Sequence, residues 1–299
     1  DSGNGCAPLV IQGPLLPGHH EVSGATSSQF ATALLLVLPL LEGDSLLDVR
    51  DPVRSEPYLR LTETWAGRYG LRIERTHEGL PPEIAIRYRV PGFQRPQARS
   101  LRIPGDWSSA APLLVGAAAS GGRLVVTGLD AEDGQGDRVL VEVLSCFGAK
   151  VDWVGDSLQV EGGSLESVGE VDVGPIPDLF PPLAVLAALS RGWTHLVGSP
   201  GLRHKESDRI TVMARALCAA GIEVVERDDG LSVHGLSGPG PGGRPRGSEH
   251  TCEGDHRVHL ALVVLGLLSH GVSTVDEPAC ASISFPDFLG VLRSVAGAA

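Results

Sequence analysis

The chain has 299 residues, 42% of them hydrophobic and 20% charged, which is enough length and apolar content for one large or two medium globular domains and too much for a disordered protein. Its formal net charge of -12 excludes a general nucleic-acid binder, because such a protein needs a basic face to displace counterions from phosphates. No signal peptide is visible, the longest apolar runs (ATALLLVLPLL, 31 to 41) fall far short of the roughly 20 residues of a membrane span, and five scattered cysteines (Cys6, Cys146, Cys218, Cys252, Cys280) without a CxxC pair fit reduced thiols in the cytoplasm.

The first stretch, DSGNGCAPLVIQGPLLPG, starts at Asp1 and reads as the middle of a longer protein, so an upstream segment is expected. One layout then recurs about every 70 to 80 residues, in four copies. Each copy opens with small or acidic residues suited to cap a helix, runs through Ala, Leu and Val, and reaches a glycine and a β-branched strand. The first is SSQFATALLLVLPLLEGDSLLDV (27 to 49), followed by an amphipathic helix over 58 to 70. Residues 87 to 105 hold three prolines and are expected to cross between domains. The second copy spans 106 to 129, with its amphipathic helix over 136 to 149. The third spans 177 to 199, with a helix over 205 to 221 and a hairpin over 222 to 236 that turns at DDG. A Gly/Pro-rich surface loop covers 237 to 254, and the fourth copy covers 254 to 277 with a last helix over 285 to 298. The first helix of each copy is apolar nearly all round and is expected to be buried, with sheets and second helices outside it. Units of this size exceed the usual 20 to 50 residues of a solenoid repeat and point to subdomains.

Buried helices that start at one end of a domain present unpaired N–H groups there, a surface suited to phosphates and carboxylates. Ser27, Ser28 and Gln29 supply neutral donors, Asp178 a carboxylate, and Asp255, His256 and Arg257 a cap beside two basic residues. Capping explains the serines and aspartates, but not Arg257 in a first turn, where the helix dipole disfavours positive charge. GLRHKESDRI (201 to 210) repeats the anomaly, with Lys205 and Arg209 one turn apart at the expected helix start and Glu206 placed to reach Arg209 at i+3. Two cationic helix starts imply a shared anionic ligand.

LRHKESDR, SSQF, GDWSSAA, QGD, IPDLFPPLA, GDHR and SFPDF, in this order and spacing, make the chain resemble the 5-enolpyruvylshikimate-3-phosphate (EPSP) synthases over essentially its whole length. The resemblance implies an α/β protein, the inverse α/β prism of enolpyruvyl transferases built of βαβαββ repeats, with about four of the six repeats present. Residues 1 to 100 would be a partial first, substrate domain of one repeat, and 101 to 299 a second domain of about three. The related UDP-N-acetylglucosamine enolpyruvyl transferases share the architecture but lack KESDR.

The implied reaction adds the 5-hydroxyl of shikimate 3-phosphate to the enol carbon of phosphoenolpyruvate and releases phosphate, without metal or organic cofactor. By similarity Ser27, Ser28 and Ser55 hold the 3-phosphate, Gln29 touches both substrates and Tyr58 packs near the ring. Asp178 accepts the hydroxyl proton, Lys205 binds shikimate 3-phosphate, and Arg209 and Arg257 clamp phosphoenolpyruvate, with Asp255 in the same site. Glu206 carries a proton to the methylene carbon with support from His256. Ile283 stands where the family has a lysine, and Gly201 where members often carry a polar residue. The family's PGDKS segment, NAGTA loop and a further arginine do not occur in this sequence. The chain alone is therefore expected to be inactive or severely impaired, with a complementary N-terminal fragment as its partner and neither nucleic acid nor membrane. His250, Cys252, His256 and His259 cluster in sequence, but their spacing fits no standard zinc pattern, and GPGPGG (238 to 243) precedes no helix, so neither a metal nor a dinucleotide site is expected.

Overall fold

A computed structural model describes residues 3, 8–236 and 243–297 of the chain; Cys6 and all but the last residue of GPGPGG lie outside the described residues. The chain divides into two compact units, Asp1–Leu101 and Arg102–Ala299, each with its own apolar core. No helix among the described residues is long and apolar enough to cross a membrane.

The first unit runs β1 (His19–Ser23), α1 (Gln29–Val37), β2 (Ser45–Arg50), α2 (Glu56–Arg68), β3 (Glu74–Thr76) and β4 (Ile84–Val90). Its sheet has the order β1-β2-β4-β3, with β1 parallel to β2 and both other pairs antiparallel. The expectation that the first helix is buried all round fails in this unit. Only Ala31 and Leu35 of α1 are buried, while Phe30 and Leu36 are 53% and 49% exposed. Helix α1 rests on α2, β1 and β2, and these cover one side of it. A second correction concerns residues 87 to 90, expected in the crossover. RYRV is the end of β4, where Tyr88 and Val90 point inward, so the period of two outweighs the prolines that follow.

The second unit runs α3 (Trp107–Ser120), β5 (Arg123–Thr127), α4 (Leu140–Cys146), β6 (Lys150–Val154), β7 (Ser157–Glu161), β8 (Gly169–Asp172), α5 (Phe180–Ala188), β9 (Gly192–Val197), α6 (Arg209–Ala219), β10 (Glu223–Arg227), β11 (Gly230–Gly235), β12 (Glu249–His250), α7 (His256–Leu268), β13 (Thr274–Val275) and α8 (Phe288–Ala296). Helices α3, α5 and α7 pack on one another, and every residue of α5 is buried. Each carries its own strands outside it: β5 and β7 on α3, β9 and β11 on α5, β13 on α7. Burial in this unit thus follows the all-apolar sequences of the three helices.

Sheet order repeats as well. β8-β9-β11-β10, with β8 parallel to β9 and the other pairs antiparallel, reproduces the arrangement of the first unit. The hairpin between β10 and β11 turns at Asp228 and Asp229, where DDG predicts it. Each β1, β8 and β12 is a short strand parallel to the next strand of its repeat, completing a βαβ crossover that none of these short segments announces in sequence.

Candidate active site

The first correction at the site concerns its helix start. Helix α6 begins at Arg209, with Asp208 as its N-cap accepting the Thr211 N–H at 3.1 Å. A 3-10 turn over Pro200–His204 ends immediately before Lys205, whose backbone is extended. Lys205 and Arg209 are therefore not on successive turns of one helix, because the Asp208 carboxylate claims the first free amides. Like-charge repulsion along a helix face does not arise.

Arg209 is 1% exposed, and its guanidinium is engaged all round. Nε donates to Asp255 Oδ2 at 2.8 Å, Nη1 to Asp178 Oδ1 at 2.8 Å, and Nη2 to Glu206 Oε2 at 2.9 Å, the pair expected at i+3. Burial works against its charge, and the carboxylates of Asp255 and Asp178 more than offset that. Asp255, expected among the substrate contacts, is 0% exposed and faces protein groups on both oxygens. Its Oδ1 caps α7 through the Arg257 and Val258 N–H groups, and its Oδ2 accepts from Arg209 and from Ser207 Oγ. The structure makes Asp255 an anchor that orients Arg209 and the start of α7.

Asp178 stands in the 3-10 turn Pro177–Leu179 that leads into α5. Burial alone would raise its pKa; the charges of Arg257 and Arg209, the Arg209 hydrogen bond and the more distant Lys205 outweigh it and hold the carboxyl at about 2. Arg257 Nη2 lies 3.4 Å from Asp178 Oδ2. Its other terminal nitrogen, Nη1, is buried and has no hydrogen-bond partner among the described residues, and the same holds for His256 Nδ1. Burial pushes the His256 imidazole down, the Arg257 charge adds to this, and Asp255 and Glu206 oppose it in part. The unpaired Arg257 donor, beside a carboxylate and the buried Arg209, forms a place where a bound anion would accept the bond that the described residues leave unmade.

In the first unit Ser27, Ser28, Gln29, Ser55 and Tyr58 gather at the starts of two helices. Gly24 N donates to Arg50 O and Arg54 N to Gly24 O, both at 3.1 Å, so the loops leading into α1 and α2 lie side by side. A Cβ on Gly24 would fall 2.6 Å from Arg50 O, which is why this approach needs glycine. Ser28 and Ser55 occupy the N-cap positions of α1 and α2, yet neither hydroxyl caps its helix. Ser55 also holds a left-handed backbone, φ 54°, of the strained kind found at functional sites. Gln29 is the first residue of α1, its N–H donating to Ser27 Oγ, and the Tyr58 N–H donates to Ser55 O.

Sequence reasoning missed Ser207 and Asp208. A capping Asp one residue before the helix was the signal for the second; the partner of the first, Asp255, lies 48 positions away and leaves no local trace. Gly201 falls in the 3-10 turn before Lys205, and Ile283 is 68% exposed at the end of the turn Pro278–Ile283.

The family model for EPSP synthase (3-phosphoshikimate 1-carboxyvinyltransferase) matches residues 1–292. The chain belongs to the EPSP synthase family. Curated relatives in that family include the 3-phosphoshikimate 1-carboxyvinyltransferases of Methanocorpusculum labreanum, 36% identical over 96% of this chain and 64% of the relative, and of Halobacterium salinarum, 38% identical over 98% and 66%. The solved EPSP synthase of Acinetobacter baumannii superposes with a TM-score of 0.72 at 25% identity, over 92% of this chain and 62% of that one. The chain thus spans about two thirds of the length of these EPSP synthases.

Proposed function

We propose that this chain carries the enolpyruvyl-transfer machinery of an EPSP synthase: it joins phosphoenolpyruvate to the 5-hydroxyl of shikimate 3-phosphate and releases phosphate, in the cytoplasm, with a complementary N-terminal segment supplying the rest of the anion contacts. The observation that carries this reading is Arg257 Nη1, a buried cationic donor without a partner, set beside Asp178 and the buried Arg209. A dianion such as phosphoenolpyruvate satisfies it with charge-assisted bonds, for which the guanidinium fork is suited.

The position of each residue supports its proposed role. Glu206 is half exposed and is the carboxylate on Arg209 that a bound anion displaces most readily, which frees it to carry a proton to the methylene carbon. Asp178 is held too acidic by its two arginines to act as a strong base. An anion that neutralises Arg209 and Arg257 removes that restraint, so Asp178 gains basicity only when phosphoenolpyruvate is in place. Lys205, on extended backbone outside the helix, is the cation for shikimate 3-phosphate. In the first unit Ser27, Ser28 and Ser55, with the N-termini of α1 and α2, suit the 3-phosphate, while Gln29 and Tyr58 flank it.

The test is phosphate release from both substrates by this chain mixed with an N-terminal EPSP synthase fragment. Steady turnover by the mixture and little by either part supports the reading. A stable complex that binds shikimate 3-phosphate and never turns over makes the chain a non-catalytic binding protein instead.

A further inference from the structure

On the side of the second unit where β12 and β13 pair, three side chains meet that have no place in the proposed chemistry. The thiol sulfurs of Cys252 and Cys280 lie 3.8 Å apart, and a ring nitrogen of His259 lies within 4.8 Å of both. Cys252 precedes α7, His259 is in its first turn and a half, and Cys280 is in the 3-10 turn Pro278–Ile283. They are 0%, 1% and 9% exposed for Cys252, His259 and Cys280. Two sulfurs each about 2.3 Å from a tetrahedral zinc stand about 3.8 Å apart, so the pair already has the spacing of a zinc-bound dithiolate. The pair is too far apart to be a disulfide, and both cysteines are free thiols.

The histidine supplies an independent pointer to a ligand. Its Nδ1 lies 2.9 Å from Asp276 O, and since a carbonyl only accepts, Nδ1 carries the proton and Nε2 is left with the lone pair. That Nε2 is buried and has no hydrogen-bond partner among the described residues. A ligating histidine commonly has this arrangement, one ring nitrogen fixed by a backbone carbonyl and the other turned to the metal. Asp276 orients a second ligand too, since its Oδ1 accepts the Cys252 N–H at 2.7 Å.

We propose that Cys252, His259 and Cys280 form a binding site for a thiophilic divalent cation of the zinc class, bound by the two sulfurs and His259 Nε2. Among the described residues no fourth His, Cys or carboxylate joins the group, so the fourth tetrahedral position falls to solvent or a small ligand. Binding releases the two thiol protons and leaves two thiolates on the cation. It ties the segment leading to Asp255 to the turn that ends at Ile283. The local spacing of His250, Cys252, His256 and His259 fits no zinc pattern because the ligand that completes the set, Cys280, comes from 28 residues after Cys252. Neither His250 nor His256 belongs to the group.

Cobalt titration tests this on the full chain with Cys6, Cys146 and Cys218 changed to serine, reduced with a phosphine and stripped with a chelator. The expected result is a thiolate-to-cobalt charge-transfer band that saturates at one equivalent, disappears on addition of Zn2+, is lost in Cys252→Ser and Cys280→Ser, and weakens with a shift in its d–d bands in His259→Gln. Absence of the band, or a band indifferent to His259→Gln, overturns the proposal. Should a variant fail to fold, native mass spectrometry of the unaltered reduced chain decides it. One added zinc, with two protons released per zinc in a weakly buffered indicator titration, supports the site; no adduct, or an adduct without proton release, overturns it.

Discussion

Arg257 Nη2 lies 3.4 Å from Asp178 Oδ2, while Nη1 of the same guanidinium is buried without a partner. One end of the side chain is thus paired with a carboxylate, and the other meets no hydrogen-bond partner among the described residues. Replacing Arg257 by Met should weaken phosphoenolpyruvate binding by about 2 to 5 kcal/mol, the cost of losing a close charged contact to an anion. The fold should hardly suffer, because removing a buried donor without a partner relieves about 1 to 3 kcal/mol of desolvation and offsets the lost pair with Asp178. Calorimetric titration and thermal melts of the same preparation check both halves; a large drop in Tm with unchanged affinity would make Arg257 a structural residue.

Asp178 should separate binding from chemistry. Its carboxylate competes with any anion for Arg209 and Arg257, so Asp178→Asn should bind phosphoenolpyruvate at least as tightly as the parent chain. Turnover of the mixture with an N-terminal fragment should nevertheless fall by about 10²- to 10⁴-fold, as expected for loss of a general base. Weaker binding together with normal turnover contradicts the assigned role.

The same residue makes a pH prediction. Its pKa is about 2 in the folded chain against an ordinary value of 3.8, so the unfolded state binds the extra proton first. The contribution to stability, on the order of 2 kcal/mol, is full above about pH 4 and is lost as pH falls from about 4 to 2. Denaturant melts across that window should show the parent chain losing stability more steeply than Asp178→Asn. Parallel slopes would remove Asp178 from the acid response.

Asp255 and Arg209 are both fully buried and bonded at 2.8 Å, and their dependence is unequal. Asp255→Ala strips a nearly inaccessible guanidinium of one carboxylate and α7 of its cap, at a cost of about 3 to 5 kcal/mol. A double-mutant cycle with Arg209→Met should return a coupling of at least about 1.5 kcal/mol, since the second change removes the charge left stranded by the first. Additive losses would mean that the cap alone accounts for the effect.

The apolar runs of α3, α5 and α7 made these buried helices legible, because the three pack on one another and carry strands outside them; the same pattern over-predicted burial for α1, which α2, β1 and β2 cover on one side. The Glu206 to Arg209 pair and the DDG turn were legible for a similar reason: both are local, fixed by spacing within a few residues. The start of α6 was misread because the apolar helix pattern was extended back over KESD, although Asp208 is itself a strong cap. That the cationic helix starts share a site was legible, but which side chains pair across it was not. Ser207 meets Asp255 and Arg257 meets Asp178 because separate repeats stack their helix starts, and no periodicity within one repeat encodes which side chains then face each other; Cys252 and Cys280 meet within the last repeat, across 28 positions that leave no local trace.

The family resemblance leads to the expectation of a lysine at position 283, where this chain has Ile283, 68% exposed at the end of the turn Pro278–Ile283. An exposed position tolerates exchange within about 0.5 kcal/mol, so Ile283→Lys should leave the melting temperature nearly unchanged. The chain carries a formal charge of -12, and anion capture depends on a few local cations. A further ammonium near the turn should tighten phosphoenolpyruvate binding, by about tenfold for the roughly 1.4 kcal/mol that one solvated charge-assisted contact supplies. Salt should erode this gain faster than it erodes binding through the buried arginines, because exposed charges are screened over about 8 Å at physiological ionic strength. Affinities of Ile283 and Lys forms measured at low and high salt check the ordering. Equal affinities at low salt would show that position 283 does not face the bound anion in this chain.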